Sequence, residues 1–80
     1  MAQVTLPDDW AAATGGTRVL EITADDFRDL RLLLTEQWPD LGVLLDRCAV
    51  AIDGQIYQDA FMEALEPDSE VFFMPRIEGG

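Results

Sequence analysis

The sequence predicts an α+β domain: one mixed sheet of four to five strands packed on one main helix. Three observations carry this expectation. Short β-type runs stand on both sides of a single amphipathic stretch, Phe27 to Trp38. They do not alternate regularly with helical segments, as a parallel α/β sheet would require. The 80 residues, 49% of them apolar, suffice for one modest core, since a chain near this size buries only about 60–65% of its unfolded surface.

Each element has a local signature. Gln3 to Leu6 reads as a short first strand, ended by Pro7-Asp8-Asp9. Thr17 to Ile22 reads as a second, alternating Val19 and Glu21 with Leu20 and Ile22. The polar, Ala-rich loop between them closes with Thr14-Gly15-Gly16, a hairpin connection. Trp10 in this loop is expected to act as a lid on the core. Thr23 is expected to cap the helix, with Asp26 three residues on in a near capping box. Phe27, Leu30, Leu34 and Trp38, or Leu33 in place of Leu34, form its core-facing stripe. Pro39 stops it. Leu41 to Arg47 reads as a short helical turn with Leu44 and Leu45 facing inward.

Cys48 to Ile52 is a third strand. Asp53-Gly54 is the strongest hairpin signal in the chain and predicts that Gln55 to Tyr57 pairs back. Gln58 to Leu65 is expected to hold a turn or short helix, broken by Glu66-Pro67-Asp68-Ser69. Glu70 to Pro75 is the last strand. On it Val71, Phe73 and Pro75 share one face, and Phe72 and Met74 the other. Either the loop carrying Trp10 covers the Phe72 face, or that face is an exposed apolar patch of the kind that marks partner sites.

Composition removes several functions. The chain has no His, so the commonest general base is missing. Ser69 is the sole serine and has no His to activate it, so a Ser–His–Asp triad is excluded. Gly15-Gly16 lacks the Lys of a phosphate loop, and no calcium-loop spacing occurs. No catalytic residue, metal or bound cofactor is expected. Cys48 stands alone, with neither a disulfide partner nor a zinc cluster. A lone Cys at the start of an apolar strand reads as a core residue before a sulfur carrier. Sixteen acids face five bases, a formal net charge of −11. This argues against nucleic acid and for a partner with a basic patch, or for a merely solvated acidic surface. No apolar run approaches the roughly 18 residues that cross a bilayer. The start lacks the basic flank and apolar stretch of a signal peptide, so a cytoplasmic protein is expected.

All five bases are Arg (Arg18, Arg28, Arg31, Arg47, Arg76), and Lys is absent. Codon bias explains this. So does a benefit to a protein with an activated acyl group, which then carries no side-chain amine to capture it.

The chain runs from the apolar strand through Pro75, Arg76, Ile77 and Glu78 to Gly79-Gly80. The division expected is a domain over 1–75 and a flexible tail over 76–80. A terminal Gly-Gly is either a frayed end or a thin strap whose backbone passes where a Cβ would clash. Extended, residues 76–80 span roughly 15–18 Å, enough to enter a buried active site.

The order of elements and this last segment resemble the ubiquitin-like β-grasp sulfur carriers, most closely the small subunit of molybdopterin synthase (MoaD type). The resemblance covers nearly the whole chain. Its most specific part is the run from Ser69 through Glu70-Val71-Phe72-Phe73-Met74-Pro75 to Gly79-Gly80, and Ala49 to Gly54 looks like the family's hairpin. Two departures stand out. Arg76 replaces the second Pro often found before the tail, and Pro67-Asp68-Ser69-Glu70 replaces the usual Asp-Gly-Asp-Glu.

The resemblance implies a β-grasp fold and a carrier without catalysis of its own. A ubiquitin-activating-type adenylyltransferase (MoeB-like) would use ATP to adenylate the Gly80 carboxyl, and a sulfur donor would leave a thiocarboxylate. A large molybdopterin synthase subunit (MoaE-like) would then receive the carrier. Gly79 would give clearance, and Phe72, Met74, Pro75, Arg76, Ile77 and Glu78 would form the partner interface. The alternatives are sulfur delivery for thiamine, cysteine or tRNA, protein conjugation, or a ubiquitin-like interaction module whose tail is never activated.

Overall fold

The computed structural model of the chain describes residues 1–58 and 62–76. Among these residues five strands form one mixed sheet: β1 (Ala2–Thr5), β2 (Val19–Ile22), β3 (Cys48–Ile52), β4 (Gln55–Tyr57) and β5 (Glu70–Pro75). Their spatial order is β2-β1-β5-β3-β4. β5 is the central strand, parallel to β1 and antiparallel to β3. Among the described residues three α-helices accompany the sheet: α1 (Ala11–Thr14), α2 (Phe27–Gln37) and α3 (Leu41–Asp46).

The main helix follows its apolar period. Phe27, Leu30 and Leu34 are buried, Trp38 is half-buried, and Leu33 is exposed, which settles the stripe in favour of Leu34. The cap is not Thr23. Asp26 occupies the N-cap in extended backbone, and its Oδ1 accepts from the Asp29 N–H at 2.9 Å. A carboxylate there also suits the positive end of the helix dipole. Thr23 stands one turn too early because residues 25–27 are held by a second segment. Phe27 N–H donates to Glu63 C=O at 2.8 Å, and Leu65 N–H donates to Asp25 C=O at 2.9 Å. α3 buries Leu41 and Leu45, with Leu44 half-buried. Of the turn expected over Gln58 to Leu65, the part at 59–61 lies outside the described residues.

The loop between β1 and β2 has more structure than expected. Asp8–Trp10 form a 3-10 turn that continues into α1. Gly15 ends α1 in left-handed backbone (φ 67°), and the buried Thr14 donates its hydroxyl to Thr17 C=O at 2.9 Å. Trp10 is buried as a lid, its ring 5.3 Å from that of Phe73. The edges of the first two strands shift slightly: β1 starts at Ala2, and β2 starts at Val19 rather than Thr17.

The β3–β4 hairpin closes through Asp53 (φ 51°) and Gly54 (φ 87°), both left-handed, in the two-residue loop that matches strand twist. Asp53 does more than turn the chain. Its carboxylate accepts from the Ser69 hydroxyl at 2.7 Å and from the Glu70 N–H at 2.9 Å. Ser69 Oγ in turn accepts from the Glu66 N–H at 2.8 Å, and Ser69 is fully buried. This network fixes the start of β5 against the hairpin. The Glu70 and Ser69 bonds hold the Asp53 carboxyl below its ordinary range, against a smaller opposing effect of burial.

The sign of the pH effect follows. Asp53 has a folded pKa below its unfolded one, so its bonds stabilise fully above the unfolded value and are lost as pH falls through the folded value. Asp53→Asn keeps an acceptor and tolerates left-handed backbone, but does not titrate. In urea titrations from about pH 6 down to about pH 2.5, the wild type is expected to lose more stability than the variant. Parallel pH profiles would show that the Asp53 charge does not hold the hairpin to β5.

Candidate functional site

The two faces of β5 have different fates. Val71 and Phe73 face the helix and are buried. The Phe73 ring lies 5.3 Å from Trp10 and 6.1 Å from Phe27. The loop carrying Trp10 therefore covers the core side of the sheet and leaves the other side open. Phe72 is 45% exposed, and Met74 on the same face is partly buried.

Strand register extends this face into a stripe. Phe72 pairs with Thr5 on one side and Ala51 on the other. Thr5 pairs with Val19, and Ala51 pairs with Ile56. Residues paired across a sheet share a face, so Val19, Thr5, Phe72, Ala51 and Ile56 cross all five strands in one row. Val19 and Ile56 are more than half exposed, at 55% and 54%. Met74 and its partner Ala49 widen the row toward the end of β5. In the opposite direction the face turns polar, with Glu21, Gln3 and Glu70 paired in a second row. The apolar part of the face thus lies where the chain leaves the sheet toward Gly79-Gly80.

The structure brings together part of the expected interface. Phe72 and Met74 lie on the open face, and Pro75 and Arg76 are exposed at its end. Pro75 belongs by alternation to the Phe73 face. Ile77, Glu78, Gly79 and Gly80 lie outside the described residues. Val19 and Ile56 were not expected on this face. The signal for them was present: each is an apolar residue on the polar-alternating side of an edge strand. Only the pairing register shows that they align with Phe72.

Cys48 lies opposite Pro75 at the start of β3 and is half-buried. Burial pushes its thiol up from the ordinary value, and the Arg76 charge pulls weakly the other way. A thiol so held is a poor nucleophile at neutral pH. Among the described residues no group of three or more His, Cys, Asp or Glu could hold a metal ion. No helix among them is long and apolar enough to cross a membrane.

This architecture is the ubiquitin-like β-grasp fold. A chain of the BexX/CysO complex from Amycolatopsis orientalis superposes with a TM-score of 0.84 at 12% identity, covering 100% of both chains. The small archaeal modifier protein 1 of Methanosarcina acetivorans has a TM-score of 0.79 at 20% identity, covering 99% of this chain and 95% of its own. The small archaeal modifier protein 1 of Haloferax volcanii has a TM-score of 0.70 at 22% identity, covering 99% and 98%. No protein-family model and no curated protein matches the sequence.

Adjacent phenylalanines should respond oppositely to substitution. Phe73→Ala is expected to cost about 3–5 kcal/mol. Phe72→Thr, which keeps a good strand residue on an open face, should cost under about 1 kcal/mol. Denaturant unfolding of the two variants measures both, and equal losses would mean that the Phe72 face is covered.

Proposed function

We propose that this protein is a ubiquitin-like sulfur carrier, and that its reacting group is the Gly80 carboxyl. The observation that supports this best is the placement of the apolar stripe. It runs across the open face of a β-grasp sheet and reaches the end of β5 from which the chain leads to Gly79-Gly80. A partner that covers Phe72 and Met74 would be positioned to receive that segment. Val19 and Ile56 would extend the contact to both edges.

The chemistry must be supplied by the partner. A free carboxylate is a poor acyl donor and needs a phosphate-type leaving group. With no His, this chain lacks the commonest general base, and on this reading the ATP site belongs to the partner. On this reading an ATP-using enzyme of the ubiquitin-activating type transfers AMP to the Gly80 carboxylate and releases pyrophosphate. A sulfur donor then displaces AMP, leaving a thiocarboxylate. The docked stripe offsets the cost of ordering the final residues, about 1–2 kcal/mol each. The protein works in the cytoplasm, where ATP and the activating enzyme are found.

For the recipient we propose the pterin precursor of molybdopterin, which would gain its dithiolene sulfurs within a complex with a larger synthase subunit. The support is the likeness of Phe72-Phe73-Met74-Pro75 and the following residues to the molybdopterin synthase small subunit. A second reading has its own support: two of the similar structures are named as modifier proteins. There the activated Gly80 acyl group would pass to an amine of another protein. The absence of Lys suits both readings, since the chain offers no side-chain amine to its own acyl group.

Intact-mass measurement tests the carrier role and separates the two readings. After incubation with the activating enzyme, ATP and a sulfur source, the mass should rise by about 16 Da as oxygen becomes sulfur at Gly80. An increase located on Cys48 would overturn the assignment. Joining to another protein with loss of water would favour the modifier reading. Phe72→Asp should greatly reduce the conversion while the variant remains folded; unchanged conversion would remove the stripe from the docking site.

A further inference from the structure

The turn between β3 and β4 joins an aspartate to a glycine, and that linkage can react with itself. The chain has no Asn, and Asp-Gly occurs in it once, at Asp53-Gly54. Asp before Gly is the aspartyl linkage most open to ring closure, because glycine has no side chain to shield its backbone nitrogen. Both residues are exposed, and a Cβ built on Gly54 would meet nothing within 4 Å. Among the described residues no hydrogen bond holds the Gly54 N–H. Asp68-Ser69, the next linkage by residue type, is closed: Ser69 is buried, and its N–H donates to Glu66 C=O at 3.1 Å.

Ring closure at Asp53 needs two things. The carboxyl must be protonated, because a carboxylate resists attack by an amide nitrogen. Its carbon must also swing onto the Gly54 nitrogen. The fold opposes both. Oδ1 accepts from the Glu70 N–H at 2.9 Å, and Oδ2 accepts from the Ser69 hydroxyl at 2.7 Å. Bonds to the ionised form favour it, and these two hold the Asp53 carboxyl below its ordinary range. Both donors sit at the start of β5, so the carboxylate is anchored to the central strand. Ser69 is itself fixed, since its Oγ accepts from the Glu66 N–H at 2.8 Å.

We propose that Asp53-Gly54 is a site of spontaneous backbone rearrangement to isoaspartate, and that Ser69 and Glu70 hold the reaction off in the folded chain. In the first step the Gly54 nitrogen bonds to the Asp53 Cγ, and the Cγ–OH bond breaks. The amide proton and the hydroxyl leave as one water, giving a five-membered imide. Water then opens the imide. Attack at Cγ restores aspartate, and attack at the main-chain carbonyl leaves the chain running through Cγ. No oxidant or enzyme is needed, and the final mass is unchanged. The second outcome adds one methylene to the main chain inside a two-residue loop whose geometry matches strand twist. It also takes Cγ into the backbone, so the Ser69 hydroxyl and the Glu70 N–H lose their acceptor. A rearranged chain therefore loses the tie between the β3–β4 hairpin and the start of β5. This chemistry is separate from Phe72 and Gly80, so it stands whether or not the chain carries sulfur.

The test incubates the full-length chain at neutral pH, folded and in urea, and then cuts it after Arg. Chromatography of the peptide over 48–76 follows the isomer, and electron-transfer fragmentation locates it. Rearrangement at residue 53 is expected at least about tenfold faster in urea than in the folded chain. Ser69→Ala should speed it in the folded chain at least about fivefold, the scale of one lost bond to a charged group. Ile22→Val weakens the core and leaves the turn untouched. In enough urea to match the stability of Ser69→Ala, it should keep the wild-type rate. Asp53→Glu, whose closure would need a six-membered ring, should give no isomer at residue 53. Rearranged chains should exchange the Glu70 amide hydrogen faster than intact ones. The proposal is overturned by equal rates folded and in urea, or by isomer at Asp68 in place of Asp53. It is overturned equally if Ser69→Ala matches either the wild type or the stability-matched Ile22→Val, or if rearrangement leaves Glu70 exchange unchanged. The folded and urea arms need no substitution, so they decide the matter even where Ser69→Ala fails to fold.

Discussion

The Phe73 ring packs against Trp10 and Phe27, 5.3 and 6.1 Å away, and the rest of the molecule depends on this contact. It pins the central strand to the helix and to the β1–β2 loop at once. Because β5 pairs with both β1 and β3, its register sets theirs. A one-residue slip would exchange the two faces of every residue along the strand. Burying Phe73 therefore also forces Phe72 outward. The packed core and the exposed apolar stripe are two results of one constraint.

The two ends of β5 are treated differently. At its start, Ser69 and Glu70 are held by the Asp53 carboxylate at the hairpin turn, and Gln3 N–H donates to Ser69 C=O at 2.8 Å. At its far end Pro75 closes the strand beside Cys48. The polar network fixes where β5 begins, and with it the register in which the strand runs to Pro75. In the proposed carrier role this division is useful. The domain supplies position and a docking face, while the reactive group lies on a segment thin enough to enter another protein's active site.

Much of this was legible in the residues. The Asp53-Gly54 turn, the bounds of β3 and β5, the Phe27-Leu30-Leu34 stripe and the lid role of Trp10 all follow from local pattern. Each has a local signal: a turn dipeptide, a bounding Pro or polar cluster, a helical spacing, or an aromatic residue in a polar loop. Three features were not legible, for a common reason. Thr23 was expected to cap α2, but residues 63–65 pair with residues 25–27 and make Asp26 the cap. Val19 and Ile56 join the open face only through pairings that bridge Thr5, Phe72 and Ala51. The openness of the Phe72 face depends on which side the Trp10 loop packs. All three are set by contacts between distant parts of the chain, on which local propensity is silent.

The central claim is that docking and chemistry are separable: the sheet face is recognised, and the Gly80 carboxyl reacts. ATP–pyrophosphate exchange by an adenylating enzyme of the same organism tests this most directly, using the full chain and a chain ending at Glu78. The account predicts that the shortened chain supports no exchange above the enzyme's own background, yet competes with the full chain at comparable concentrations because its Phe72 face is intact. Full exchange with the shortened chain, or complete loss of competition, would contradict it.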